Sequence, residues 1–143
     1  MSFTAMSHST EETEALAARL AVRVPKNAFV ALFGGLGMGK TAFARGFLRG
    51  LEYSGEVSSP TFALVHEYRG GRQDVFHFDL YRITSPEDLY STGFFDYEGT
   101  GILLTEWSEN IEEILPEDCI RILIAPGDSP EDRIMTVEGL EEC

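Results

Sequence analysis

Ala28 to Phe33 is an unbroken apolar run that ends in glycines, the pattern of a strand buried on both faces. Upstream of it, Leu16, Leu20 and the alanines between them recur at helical spacing. That helix starts at Ser9 or Thr10, is marked by acidic Glu11 and Glu12, and continues to about Val22. Pro25-Lys26-Asn27 then turns the chain. After the apolar run comes a glycine-rich loop and a second helix from about Lys40 to Leu51. Three more strands are predicted over Thr61–Tyr68, Val75–Tyr81 and Ile102–Thr105, with Arg69-Gly70-Gly71-Arg72 as a hairpin turn between the first two. Pro86-Glu87-Asp88-Leu89 starts a short helix through its proline and acidic first turn. Cys119–Ala125 and Arg133–Val137, joined by Pro126-Gly127-Asp128, read as an antiparallel pair. The order predicts an α/β fold with a mixed sheet.

Composition changes this picture little, but charge changes it more. The 143 residues are 43% hydrophobic and 24% charged, which is globular composition and excludes disorder and coiled coil. A chain of this length is expected to form one domain, residues 1–143. The net charge is −13, and it is unevenly spread. Residues 1–51 carry six basic and three acidic side chains, whereas residues 52–143 carry five basic and 21 acidic. Such a surface repels a phosphate backbone and suits docking onto a basic partner protein, so direct nucleic-acid binding is not expected. Two cysteines, Cys119 and Cys143, form no disulfide framework and fit a reducing cytosol. The first residues lack the basic and apolar regions of a signal peptide. No stretch approaches the roughly 18 apolar residues that a membrane helix needs. A cytoplasmic location, away from membranes, is the expectation.

Gly34-Gly35-Leu36-Gly37-Met38-Gly39-Lys40-Thr41 satisfies the G-x-x-x-x-G-K-[ST] pattern of a P-loop. The glycines allow a tight turn whose successive N–H groups make a nest for phosphate oxygens. The helix beginning at the lysine adds the positive end of its dipole. Lys40 would reach the β- and γ-phosphates, and the Thr41 hydroxyl would ligate Mg2+. A chance match in a chain of this length is on the order of one in a few hundred, from average glycine usage. The motif also sits between an apolar strand and a helix, as its mechanism requires. The fold expected is therefore a P-loop NTPase with a mixed, largely parallel central sheet flanked by helices, and antiparallel strands towards the C-terminus.

A P-loop needs a further acid at the end of a neighbouring strand. Asp79 closes one predicted strand and Glu106 another, and spacing alone does not rank them. One would support Mg2+ while the other orients or deprotonates the attacking water. The hydroxyl-rich Ser58-Ser59-Pro60-Thr61 loop is placed to contact a γ-phosphate as switch loops do, with Thr61 the strongest candidate in it. Other features read as structural. Asp96-Tyr97-Glu98-Gly99 is a loop rather than a GTPase motif, since no guanine-reading Asn-Lys-x-Asp exists. His8, His66 and His77 lack metal-ligand spacing with the cysteines. His77, between Phe76 and Phe78, reads as a packed strand residue. The acidic run from Glu109 to Asp118 reads as a solvated, partly helical surface. Trp107 is open between core, nucleotide lid and docking aromatic. Arg133 is either a strand-edge charge or one of the few cations available to meet a nucleotide.

Taken together, these residues resemble the TsaE (also called YjeE) family of bacterial P-loop ATPases over nearly the whole chain. The likeness runs through Glu12-Thr13, Gly34 to Gly46, Ser59-Pro60-Thr61-Phe62, His77-Phe78-Asp79-Leu80-Tyr81-Arg82, Thr105-Glu106-Trp107-Ser108 and Arg133. The His-Phe-Asp-Leu-Tyr-Arg string and the Glu-Trp pair, in this order after a P-loop, are its most specific parts. The resemblance implies that Thr41 and Glu106 ligate Mg2+, that Asp79 is needed for hydrolysis, and that Thr61 belongs to a switch-like loop. It sets Thr13 and Arg133 on the base and ribose side of ATP, and Trp107 near the nucleotide and the partner surface. It also implies the partners: a TsaB–TsaD pair, in which TsaD transfers a threonylcarbamoyl group to the adenosine adjoining the anticodon of ANN-decoding tRNAs. The tRNA would be met only through those partners. The family usually carries Asp where this chain has Gly35; because Lys40 and Thr41 remain, nucleotide binding is expected to survive. Met38 stands where a small residue is usual, and its side chain is expected to point away from the phosphates.

Two other functions share the P-loop. A small-molecule kinase would need an acceptor pocket and usually an Arg-bearing lid, yet only five arginines are scattered beyond the P-loop helix, with no arginine pair. A nucleotide-dependent docking module would bind ATP without needing to hydrolyse it.

Overall fold

The computed structural model describes residues 2–35, 37–57 and 65–140. Strand β1 (Ser2–Ser7) and helix α1 (Thr10–Ala21) come first, and the apolar run becomes β2 (Phe29–Phe33). Helix α2 (Lys40–Gly50), β3 (Val65–Tyr68), β4 (Val75–Asp79), α3 (Pro86–Ser91), β5 (Ile102–Glu106), β6 (Ile120–Pro126) and β7 (Arg133–Glu138) follow. Short 3-10 helices occupy Phe94–Tyr97 and Ser108–Ile114.

Among the described residues the strands form one sheet in the order β1-β7-β6-β2-β5-β4-β3. The four central strands β6, β2, β5 and β4 run parallel. Antiparallel pairs close both edges, β3 against β4 on one side and β1 and β6 against β7 on the other. The parallel strands therefore present their C-terminal ends together at one end of the sheet, the end where such sheets bind ligands.

Local chemistry accounts for the elements. The Ser9 hydroxyl accepts the Glu12 N–H at 3.1 Å, satisfying one free N–H of the first turn of α1, and the Glu12 carboxylate reaches back to accept the His8 N–H at 3.1 Å. Helices α1 and α2 press together over one sheet face because Gly46 and Gly50 present no side chain to α1. A Cβ on Gly46 would stand 2.1 Å from the Glu14 carbonyl oxygen, and one on Gly50 would stand 2.4 Å from that of Ala18. Glu14 ties the pair at its rim through Arg45 and Arg49. Beneath them Phe43, Phe47, Leu20, Val30, Leu32 and Ile122 form the main core. Each such side chain contributes roughly 1.5–3 kcal/mol on burial. On the opposite face, α3 and the 3-10 segments, the latter through Phe94 and Ile111, cover Phe76, Phe78 and Leu103.

Several expectations shift in detail. Strand β1 has no counterpart among the predicted elements; it pairs with β7 from Ser2↔Glu138 to Ser7↔Arg133 and sets Phe3 against the main core. Strand β4 ends at Asp79 rather than Tyr81, because the Asp79 carboxylate accepts the Tyr81 N–H at 3.0 Å and turns the chain out of the sheet. The predicted Thr61–Tyr68 strand is described only from Val65, and its first four residues lie outside the described residues. The Asp96–Gly99 segment follows no strand and overlaps the 3-10 turn of Phe94–Tyr97. Met38 packs its side chain against the main core.

Candidate functional site

The loop between β2 and α2 lies at the C-terminal end of the parallel strands. Gly37 and Gly39 take φ of 79° and 95°, conformations open to glycine, and Gly39 leads directly into the first turn of α2. Leu36 lies outside the described residues. Lys40 is buried, and its Nζ donates to the Gly34 carbonyl oxygen at 2.9 Å while standing 4.1 Å from the centre of the Trp107 ring. Burial pulls the Lys40 ammonium below its ordinary pKa, and the carboxylates of Glu106, Glu109 and Asp79 act against that pull. Three acids thus face one buried cation. Glu109 also accepts the Gly34 N–H at 3.2 Å. That contact had no signal in the sequence, where Glu109 is one of a run of acids.

The two acids that spacing left unranked are register partners. Asp79 and Glu106 face each other across the parallel β4–β5 pair. Their surroundings differ. Glu106 is 5% exposed, and its Oε2 stands 2.6 Å from Nε2 of fully buried His77. Asp79 is half-buried and holds its own turn. Next to Glu106, Trp107 adopts a left-handed backbone (φ 60°, ψ 39°), a conformation that costs a non-glycine residue of order 1 kcal/mol or more. It directs the indole onto Lys40 and edge-on to Tyr81, with ring centres 5.0 Å apart.

Thr41, half-buried in the first turn of α2, offers a hydroxyl, and Glu106 offers a carboxylate whose Oε1 accepts no hydrogen bond among the described residues. These are hard oxygen donors, and few in number. Among the described residues no three His, Cys, Asp or Glu side chains gather as a metal cage. That donor set fits Mg2+, which is usually held by one or two protein oxygens together with substrate phosphates and water.

Beside the loop lies a cavity of about 370 Å3, lined by Thr13, Ala42, Gly39, Pro130 and Arg133 among others. Thr13 is buried with its hydroxyl 2.7 Å from that of Ser7. Arg133 is bound into the phosphate loop: its Nε donates to the Met38 carbonyl at 3.1 Å and an Nη to that of Gly37 at 3.3 Å. At the rim, the His8 ring and Asp132 meet at 2.9 Å, which raises the His8 pKa and lowers that of Asp132. The structure thus gathers Lys40, Thr41, Glu106, Asp79 and Trp107 at one end of the sheet, with Thr13 and Arg133 on the flanking cavity. Thr61, Ser58 and Ser59 lie outside the described residues.

Comparison with known proteins gives a consistent set of relatives. The family model described as "Threonylcarbamoyl adenosine biosynthesis protein TsaE" matches residues 7–134. The tRNA threonylcarbamoyladenosine biosynthesis protein TsaE of Haemophilus influenzae is 45% identical over 106 residues, 73% of this chain and 67% of that protein. The protein of the same name from Bacillus subtilis is 38% identical over 131 residues, 90% of this chain and 82% of that one. The crystal structure of Bacillus subtilis YdiB matches with a TM-score of 0.75 at 32% identity, over 96% of this chain and 84% of the other.

Proposed function

The chain belongs to the TsaE family, and from that premise we propose that it is the Mg2+-dependent ATPase subunit of the machinery that makes threonylcarbamoyladenosine in tRNA, acting with a TsaB–TsaD complex. One observation carries this reading: a buried P-loop lysine faced by two acids that close adjacent parallel strands. ATP enters with its phosphates over the loop, and its γ-phosphate oxygens take the Lys40 ammonium from the Gly34 carbonyl and the Trp107 ring. Thr41 and Glu106 would hold Mg2+, which would offset the charge of the phosphates. Asp79 orients the attacking water. The water oxygen bonds to the γ-phosphorus, the bond to the ADP oxygen breaks, and the water's proton passes to the released phosphate. Thr13, Arg133 and the flanking cavity take the nucleoside side.

Intrinsic hydrolysis is expected to be slow. Arg133, on the flanking cavity, is already bound to backbone carbonyls of the loop and is not free to stabilise the transition state. Hydrolysis then serves to reset the partner assembly, in which TsaD performs the group transfer and the partners hold the tRNA. The net charge of −13 fits contact with protein rather than with RNA. Among the described residues no helix is long and apolar enough to cross a membrane, and the proposed work is cytoplasmic.

Reconstitution with purified TsaB, TsaD, tRNA, a threonylcarbamoyl donor and ATP tests the reading. A Lys40→Ala, Thr41→Ala double variant is expected to lose multiple-turnover tRNA modification. Modification at the wild-type rate by that variant would overturn it.

A further inference from the structure

His77 is an imidazole with no solvent exposure, set in a strand with Val75, Phe76, Phe78 and Asp79. Alternation along β4 turns Phe76 and Phe78 into the core on one face and leaves Val75, His77 and Asp79 on the other. On β5, Ile102, Leu104 and Glu106 share that second face. The register pairs His77 with Leu104 and Asp79 with Glu106, so His77 lies one diagonal step from Glu106. Its Nε2 is 2.6 Å from Glu106 Oε2, while its Nδ1 is buried with no hydrogen-bond partner among the described residues. The Tyr68 ring is its aromatic neighbour, 6.5 Å away between ring centres.

A well-packed apolar side chain at this position would bury no orphaned nitrogen and would cost the fold less. What imidazole supplies instead is a fixed N–H donor aimed at one carboxylate oxygen. We propose that His77 is a positioning residue: its Nε2–H clamps Oε2 of Glu106 and so presents Oε1 to the divalent cation at the phosphate loop. The inference rests on the reading of Glu106 as a cation ligand. A ligating carboxylate is ionised and only accepts, which puts the imidazole hydrogen on Nε2 and leaves bare Nδ1 as the nitrogen without a partner. The clamp also has something to oppose. Glu106 has three rotatable bonds, and the nearby Lys40 ammonium attracts it; held by His77, it cannot swing over to neutralise the lysine that the phosphates need.

The test is calorimetric titration of ATP binding against Mg2+ for the wild type, His77→Leu, His77→Gln, Glu106→Ala and the His77→Leu, Glu106→Ala pair. His77→Leu is expected to raise the Mg2+ concentration for half-maximal tightening by about 10–100-fold, a larger effect than any weakening of Mg2+-free nucleotide binding. His77→Gln, whose amide nitrogen can donate, restores most of the loss, and His77→Leu adds nothing once Glu106 is alanine. An unchanged Mg2+ requirement in folded His77→Leu, with the wild type still Mg2+-dependent, overturns this inference and leaves the proposed function standing. A wild type whose ATP binding ignores Mg2+ overturns the reading beneath it as well. Should His77→Leu not fold, 15N NMR of the wild-type imidazole decides: an Nε2-protonated ring that shifts on adding Mg2+ to the ATP complex supports the clamp, and an Nδ1-protonated ring overturns it.

Discussion

At Gly34 the backbone φ is 149° and a Cβ would stand 2.7 Å from the Ile124 carbonyl oxygen, whereas a Cβ on neighbouring Gly35 would meet nothing within 4 Å. The two glycines therefore respond differently to substitution. Gly34→Ala is expected to lose about 1–3 kcal/mol through strain and overpacking against backbone. Gly35→Asp, which restores the side chain usual in the family, is expected to stay within about 1 kcal/mol of wild type, since a less flexible unfolded chain offsets small native losses. Thermal melts and ATP binding check this; a melting temperature as low for Gly35→Asp as for Gly34→Ala would contradict it. At this scale the phosphate loop was legible because its residue types serve phosphate directly. The hydrogen bonds of Glu109 to the loop and of His77 to Glu106 were not, because each joins residues 29 or more positions apart that no local pattern relates.

The packing of α1 on α2 carries the loop's helix, and it depends on absent side chains. Gly46→Ala sets two effects against each other. Removing a helix-interior glycine gains about 1 kcal/mol in propensity. The new Cβ would lie 2.1 Å from a carbonyl oxygen of α1, and no rotamer change relieves that contact. Overpacking of this kind costs about 3 kcal/mol at its upper end, so the substitution is expected to destabilise by about 2 kcal/mol. A lower urea midpoint at unchanged slope is the expected result; a midpoint at or above wild type would show that the helices separate freely. Helix α1 was readable from its apolar spacing and its Ser9 start, and α2 from its place after the phosphate loop. Strand β1 was not: only Phe3 and Ala5 of Ser2–Ser7 mark an inward face, and its existence depends on β7, more than a hundred residues away. The pairing of Asp79 with Glu106 was hidden for the same reason, since parallel register is set by the sheet and not by either strand.

Across the whole molecule, the order of strands explains why the site lies where it does. Parallel β6, β2, β5 and β4 end together, so the loop after β2 and the acids closing β4 and β5 converge without any one segment being long. The chain supplies a phosphate loop, a strained tryptophan beside buried Glu106 and a net charge of −13. Arg133 is tied to the loop's carbonyls, and that charge disfavours direct contact with tRNA. That combination fits a subunit whose chemistry is completed by partners. ATP hydrolysis by the purified chain, alone and then with TsaB, TsaD and tRNA, with Glu106→Ala as control, tests this most directly. The account predicts slow turnover alone, acceleration by the partners, and loss of that acceleration in Glu106→Ala. Partners that leave the rate unchanged while ATP is still bound would contradict it.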